Sequence, residues 1–176
     1  MMNRTIVTML FFVVMIMLFA CGGDEEYDYS DHSKAEWIEN AFTDFESGQY
    51  TKVKAISWWH EEWEGTNLKI NSSTETLEAY KSSVSSSTFV STATFSDNKL
   101  IEPASGIYHA AFPDFGGEED IVTVERINEF ESLANKDIVW AYFSNNWRDN
   151  IQFPSTEVNT ISSTGKIPFI RIMPRT

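Results

Sequence analysis

The stretch Ile138-Val139-Trp140-Ala141-Tyr142-Phe143 decides the fold class. A nearly unbroken apolar run of this length, rich in β-branched and aromatic side chains, suits a strand buried on both faces. Strands of that kind belong to parallel sheets covered by helices. The flanks carry the same message. Upstream, Ile121 to Ala134 places Val124, Ile127 and Phe130 three residues apart, the stripe of an amphipathic helix. Before that helix, Gly106 to Phe112 reads as a strand. Downstream, Pro154 to Ser163 reads as a short helix closed by Gly165, and Pro168 to Met173 as another strand. The three strands begin roughly 30 residues apart, the size of one βα unit. The pattern predicts an α/β protein with a parallel sheet.

The same alternation begins earlier. Ser33-Lys34-Ala35-Glu36 is a capping box, and Trp37, Ile38, Ala41, Phe42 and Phe45 follow on one helical face before Gly48. Val53 to Trp59 is a β-rich run leading into His60-Glu61-Glu62-Trp63-Glu64-Gly65. A second capping box, Ser72-Ser73-Thr74-Glu75, opens a helix with Leu77, Tyr80 and Val84 on one side. Ser82 to Phe95, rich in Ser and Thr, reads as a linker or an irregular strand.

The ends and the composition narrow the classes of function. The chain has 176 residues, 42% apolar and 14% aromatic, with 26 acidic and 13 basic groups and a net charge of -13. Such an acidic balance excludes a nucleic-acid partner, which needs a surplus of Lys and Arg against phosphate. At this length one domain is expected, short of the roughly 250 residues typical of a (β/α)8 barrel. Residues 1–20 carry one charge, Arg4, and an apolar run from Ile6 to Ala20, which is short for a membrane span and sized for a signal peptide. Leu18-Phe19-Ala20-Cys21 resembles a bacterial lipobox, which makes Cys21, the only cysteine, the expected lipidation site. Residues 21–32, with Asp24-Glu25-Glu26 and Asp28, form an acidic tether resembling the export tag of bacterial surface lipoproteins. The expectation is an outer-membrane lipoprotein exposed at the cell surface. The lipid would make the attachment, since an acidic surface is repelled by anionic headgroups.

In parallel α/β proteins, ligands gather at the C-terminal ends of strands. Those ends read Trp58-Trp59-His60-Glu61-Glu62-Trp63, then Phe112-Pro113-Asp114-Phe115-Gly116-Gly117, then Ser144-Asn145-Asn146-Trp147, and finally Arg171-Ile172-Met173-Pro174-Arg175. Indole rings beside carboxylates and amides suit a carbohydrate, whose flat apolar face stacks on a ring while its hydroxyls take hydrogen bonds. Trp58, Trp59, His60, Glu61, Asp114, Asn146 and Trp147 are the expected substrate-binding residues. The same tryptophans also suit a core. His60 with its adjacent carboxylates has poor spacing for a metal, and no metal or cofactor is expected. Neither a phosphate loop nor a G-x-S-x-G elbow occurs. His109 falls within a strand and reads as a core histidine with its hydrogen bonds satisfied.

These motifs resemble glycoside hydrolase family 26, the family of β-mannanases and relatives that act on other β-linked glycans. Val53-Lys54-Ala55-Ile56-Ser57-Trp58-Trp59-His60-Glu61 and Leu68-Lys69-Ile70-Asn71-Ser72-Ser73 resemble the eighth strand and last helix of that family's barrel. Gly106-Ile107-Tyr108-His109-Ala110-Ala111-Phe112-Pro113-Asp114-Phe115 resembles its first strand. Ile138 to Trp147 and Ile167 to Pro174 resemble its second and third. Residues 33–90 therefore resemble the end of a barrel, and residues 91–176 resemble its beginning.

The resemblance implies a partial (β/α)8 TIM barrel of about four parallel strands in the order 8-1-2-3, with outer helices. It implies polysaccharide degradation, with a β-linked, mannan-like polysaccharide or oligosaccharide as partner. It also implies that the catalytic pair is missing. The family places its acid/base glutamate after strand four and its nucleophile after strand seven, and neither segment has a counterpart. Retaining hydrolysis needs two carboxyl groups about 5 to 5.5 Å apart. Nothing marks Glu61, Glu62 or Asp114 as such a pair, so the catalytic residues stay unassigned. A non-catalytic surface glycan-binding lipoprotein and an inactive fragment are the alternatives. An open half-barrel leaves two sheet edges uncovered, which points either to self-association of halves or to a missing remainder of the barrel.

Overall fold

The structure, a computed structural model, describes residues 33–116, 121–147 and 152–174. They lie in one compact unit, Ser33–Thr176. The predicted signal peptide, Cys21 and the acidic tether fall outside the described residues. The elements in chain order are α1 (Lys34–Glu46), β1 (Ala55–Trp59), β2 (Glu62–Trp63), β3 (Thr66–Asn67), α2 (Thr74–Val84), β4 (Phe89–Val90), β5 (Phe95–Ser96), β6 (Lys99–Leu100), β7 (Ile107–Phe112), α3 (Val124–Ala134), β8 (Trp140–Trp147), α4 (Ser155–Ser163) and β9 (Ile167–Pro174).

The main sheet runs β1-β7-β8-β9, every pairing parallel, with the short β4 also parallel to the start of β7. The chain is thus a mixed α/β protein built on a parallel sheet, as the apolar runs predict. All six residues of β7 are buried, the signature of a central strand covered on both sides. β8 is longer than its sequence suggests. The apolar run ends at Phe143, yet the strand continues to Trp147, because Ser144, Asn145, Asn146 and Trp147 stay in register with Arg171, Ile172, Met173 and Pro174 of β9. Pairing to a neighbour overrides the weak β-propensity of Asn.

Local chemistry fixes the helices. The Ser33 hydroxyl accepts from the Glu36 amide (3.1 Å), and Thr123 caps α3 through the Arg126 amide. In α2 the cap is Ser73, accepting from the Thr76 amide, one residue later than the spacing Ser72-x-x-Glu75 predicts. Ser72 instead accepts from Lys34 Nζ, which also reaches the carbonyls of Asn67 and Lys69 and ties α1 to the chain leaving β3. Asn135 ends α3 in the left-handed region.

Two small hairpins escape the sequence reading. Glu64-Gly65 joins β2 to β3 and Asp97-Asn98 joins β5 to β6, all four residues with positive φ, which is the turn geometry that matches strand twist. Gly106 is required before β7. A Cβ there would lie 2.3 Å from the Thr88 carbonyl oxygen, where that oxygen accepts from the Ile107 amide.

The helices pack on one face of the sheet. Ile56 and Trp58 of β1, His109 and Ala111 of β7, and Ala141 and Phe143 of β8 meet Phe42, Tyr80, Ile127, Phe130 and Ile161 there. Tyr80 on α2 touches Trp58 and His109, so the helix spans the strand before it and the strand after it. The opposite face carries Tyr108, Ala110, Trp140 and Tyr142, and no described helix covers it. At the N-terminal end of the sheet, Glu131 of α3 accepts from the Ile138 amide and pairs with Lys166 (2.7 Å), locking α3 to the starts of β8 and β9.

Candidate functional site

The C-terminal strand ends divide their side chains between the two faces. Successive residues of a strand point to opposite sides, so Trp58 and Trp59 cannot serve the same surface. Trp58 turns to the helices. Its ring lies edge-on to Tyr80 (5.0 Å between centroids) and to Trp37 of α1 (6.2 Å), and its indole N–H donates to the Leu68 carbonyl. Trp59 turns to the helix-free face, where it meets Phe112 at 6.1 Å and Trp63 at 6.0 Å. The tight β2–β3 hairpin lays Trp63 beside Trp59 and leaves it 41% exposed.

Alternation continues past β1. His60, whose amide still donates to Phe112 of β7, packs its ring against Phe130 of α3 at 5.2 Å. Glu61 returns to the side of Trp59 and accepts from its indole N–H (2.9 Å). Although Glu61 is only 2% exposed, that hydrogen bond holds its carboxylate beside the tryptophan pair. Phe112 extends the cluster to Phe115 (5.5 Å) and Tyr142 (5.3 Å), and the Arg171 guanidinium lies over the Tyr142 ring at 5.6 Å. The result is a run of aromatic rings with one oriented carboxylate at the C-terminal end of β1, β7 and β8.

His60 and Asp114 meet elsewhere, in a cleft of about 80 Å3 shared with Lys69, Asn71, Arg126 and Glu129. Nδ1 of His60 accepts from the Ile70 amide (3.0 Å), so the neutral ring carries its proton on Nε2. Burial pulls the His60 pKa down to about 4, with the Lys69 and Lys34 charges adding to it and Asp114 opposing. Asp114 binds Lys69 Nζ at 2.6 Å and accepts from the Gly116 amide at 2.8 Å. Burial pushes its carboxyl up, but the Lys69 ammonium, the Gly116 amide and the Arg126 charge outweigh it and hold the group ionised below its usual range. The Lys69–Asp114 pair fastens the loop after β3 to the loop after β7. No spacing in the sequence announces that partnership.

Of the sequence-derived site residues, the structure therefore brings Trp59 and Glu61 together and sets Trp58, His60 and Asp114 on the helix side. Asn146 and Trp147 lie within β8 rather than beyond its end, and their side chains are outside the described residues. Trp63, Phe112 and Tyr142 join the cluster without having been singled out. The signal for Phe112 and Tyr142 is the period-two alternation Tyr108-Ala110-Phe112 and Trp140-Tyr142.

His109 sits in the core. Its Nδ1–H donates to the Asp137 carbonyl (3.0 Å), so Nε2 accepts from the Tyr80 hydroxyl (2.8 Å). Burial lowers its pKa to about 4, against the opposing pull of the Asp137 carbonyl, and raises that of Tyr80. On the helix-free face, by contrast, Trp140 Nε1 and Ser144 Oγ are buried without a hydrogen-bond partner among the described residues.

Among the described residues, no group of three or more His, Cys, Asp or Glu converges on a metal position, and no helix is long and apolar enough to cross a membrane. Comparison with protein-family models, curated proteins and solved structures finds no match to this chain.

Proposed function

We propose that this protein is a surface lipoprotein of glycoside hydrolase family 26 type, whose parallel sheet is a contiguous half of a (β/α)8 barrel and whose helix-free face holds a β-linked, mannan-like glycan. One observation carries the reading: Trp59, Trp63, Phe112 and Tyr142 line up at the C-terminal strand ends with Glu61 oriented among them by the Trp59 indole. Sugar rings stack through their apolar faces on the open sides of Trp59, Trp63 and Tyr142, which the buried Phe112 and Glu61 support from beneath. The strand order β1-β7-β8-β9 supports the half-barrel, since it matches the 8-1-2-3 order that the sequence resemblance implies.

The chain alone binds rather than cleaves. Hydrolysis with retention needs one protonated and one ionised carboxyl group close together. Glu61 and Asp114 lie on opposite sides of the sheet, and Asp114 is neutralised by Lys69. The anchor is Cys21, with the outer membrane as the expected location.

Affinity electrophoresis in gels containing soluble β-mannan tests the proposal. The protein is expected to be retarded, Trp59→Ala to migrate freely, and incubation with mannan to release no reducing sugar. Equal retardation of the wild type and Trp59→Ala would place binding elsewhere. Sugar release would refute the non-catalytic reading.

A further inference from the structure

The end of the sheet where the strands begin differs in charge from the end that carries the tryptophans. β1, β7, β8 and β9 run in parallel, so the helices between them open at the tryptophan end and close at the other. Each described helix has an acidic residue in its first turn, Glu36, Glu75, Glu125 and Glu157, and Glu62 and Glu64 lie at the same end. The opposite end gathers six of the eight lysines of the chain. Lys52 and Lys54 precede β1, Lys81 is in the last turn of α2, Lys99 is in β6, and Lys136 and Lys166 precede β8 and β9. Six carboxylates share that end. Glu102 pairs with Lys54, Glu131 and Asp137 with Lys166, and Asp44, Glu46 and Asp97 complete the balance. This end is neutral in a chain of net charge -13.

Apolar side chains are exposed among those lysines. Phe95 and Leu100 are cross-strand partners in the β5–β6 hairpin and are 56% and 40% exposed, with Ile101 beside them at 41%. The Tyr108 hydroxyl accepts from the Thr94 amide and donates to the Ile101 carbonyl, which pins the hairpin to the start of β7. Next to the hairpin opens a cavity of about 900 Å3, lined by Ser87, Ser91, Thr92 and Thr94 on one side and by Lys136 and Asp137 on the other. The Ser- and Thr-rich stretch that reads as a linker in the sequence is thus one wall of a polar cavity.

We infer that this end of the sheet docks on a zwitterionic phospholipid bilayer, the β5–β6 hairpin entering the headgroup layer and the cavity beside it taking a headgroup. The inference rests on the lipid-anchor reading above. Phe95, Leu100 and Ile101 bury at the acyl boundary, while the lysines around them keep their ammonium groups among the phosphates. In the cavity, the neighbours Lys136 and Asp137 carry opposite charges, the complement of a headgroup that holds both a phosphate and an ammonium. An anionic bilayer would repel a chain of this net charge, whereas a zwitterionic one adds no long-range repulsion. Reach is sufficient. Residues 21–32 span at most about 40 Å, more than the roughly 26 Å length of the eight-residue β8, so an anchor at Cys21 permits this end to meet the bilayer. The contact need not be strong, because an anchor in the same bilayer makes it intramolecular. Burying the open parts of three apolar side chains favours the docked state on the order of a hundredfold. Docking points Trp59 and Trp63 away from the membrane, the orientation a glycan-binding surface needs.

The test uses the protein made with its own signal sequence, so that the lipid blocks the Cys21 thiol, in phosphatidylcholine–phosphatidylethanolamine vesicles. A polarity-sensitive dye is attached at Ser96→Cys in the hairpin or at Glu62→Cys at the opposite end, both exposed positions. Doxyl-labelled phosphatidylcholine is expected to quench the dye at position 96 and to leave position 62 unaffected. Phe95→Ser combined with Leu100→Ser is expected to abolish that quenching, with vesicle retention and the circular dichroism spectrum unchanged. Exchanging phosphatidylethanolamine for anionic phosphatidylglycerol is expected to weaken the quenching, and Asp137→Lys to restore it. An unchanged lipid preference in Asp137→Lys would remove the headgroup from the cavity. Quenching at position 62, alone or equal to that at 96, would overturn the docking surface. So would quenching at neither position in vesicles that retain the protein, which would leave a protein partner as the occupant of the hairpin. A dye-reactive thiol in protein without an introduced cysteine would refute the lipid anchor alone, and the same comparison on the Cys21→Ser chain at vesicle excess then decides the surface.

Discussion

The two faces of the sheet differ in how completely they are finished. Under the helices, His60 and His109 are held neutral by burial, Tyr80 and His109 bond to each other, and Asp114 is matched by Lys69. On the helix-free face, Tyr108, Phe112 and Trp140 are buried while Trp63 and Phe169 stay exposed, and Trp140 Nε1 and Ser144 Oγ have no partner among the described residues. A buried unpaired polar group costs about 1–3 kcal/mol. One face is closed over by helices, whereas the other is buried around Tyr108 and Trp140 but leaves Trp63 and Phe169 open to solvent. The difference assigns opposite consequences to substitutions on the two sides.

The largest expected effect lies under the helices. Phe130 is 1% exposed and packs against His60 and Tyr80. Phe130→Ala is expected to cost about 3–5 kcal/mol of stability in urea denaturation, while the folded fraction still binds glycan. Loss of glycan affinity beyond the loss of folded protein would break the comparison.

Acid is expected to act through the same face. His60 and His109 have folded pKa values near 4, below the 6.5 of a free imidazole. Between those values the unfolded chain binds protons that the native chain does not, so stability falls as pH drops from about 6.5 toward 4. The loss is on the order of 3 kcal/mol for each histidine and levels off below pH 4, where the native rings protonate too. Denaturation midpoints measured across that window check the slope. Replacing His109 by Gln, uncharged at every pH, is expected to remove about half of it.

The smallest effect belongs to the Lys69–Asp114 pair. It is partly exposed, so Asp114→Asn is expected to cost about 1 kcal/mol or less, with the loss shrinking further in high salt. A cost of several kcal/mol would mean that the pair carries more of the loop's anchoring than its exposure suggests.

The frame of the fold was legible in the chain. Ile138 to Phe143, Gly106 to Phe112 and Pro168 to Met173 announce parallel strands because burial on both faces demands unbroken apolar runs. The hairpins at Glu64-Gly65 and Asp97-Asn98 were missed, although such dipeptides are turn signals, since their strands are only two residues long. The site was legible in composition but not in direction. Adjacent rings at Trp58 and Trp59 look equivalent until the pairing with β7 fixes which of them turns to the helices. Asp114 looked available for a ligand because nothing local announces Lys69, which reaches it from the loop after another strand.

Calorimetric titration with a β-1,4-linked manno-oligosaccharide, comparing Trp63→Ala with Asp114→Asn, tests the assignment of function to the helix-free face most directly. Trp63 is exposed, so its truncation should leave the melting temperature unchanged and weaken binding about tenfold or more, roughly 1.4 kcal/mol. Asp114→Asn should bind as the wild type does. Unchanged affinity in Trp63→Ala together with lost affinity in Asp114→Asn would contradict the account and move the site to the helix side of the sheet.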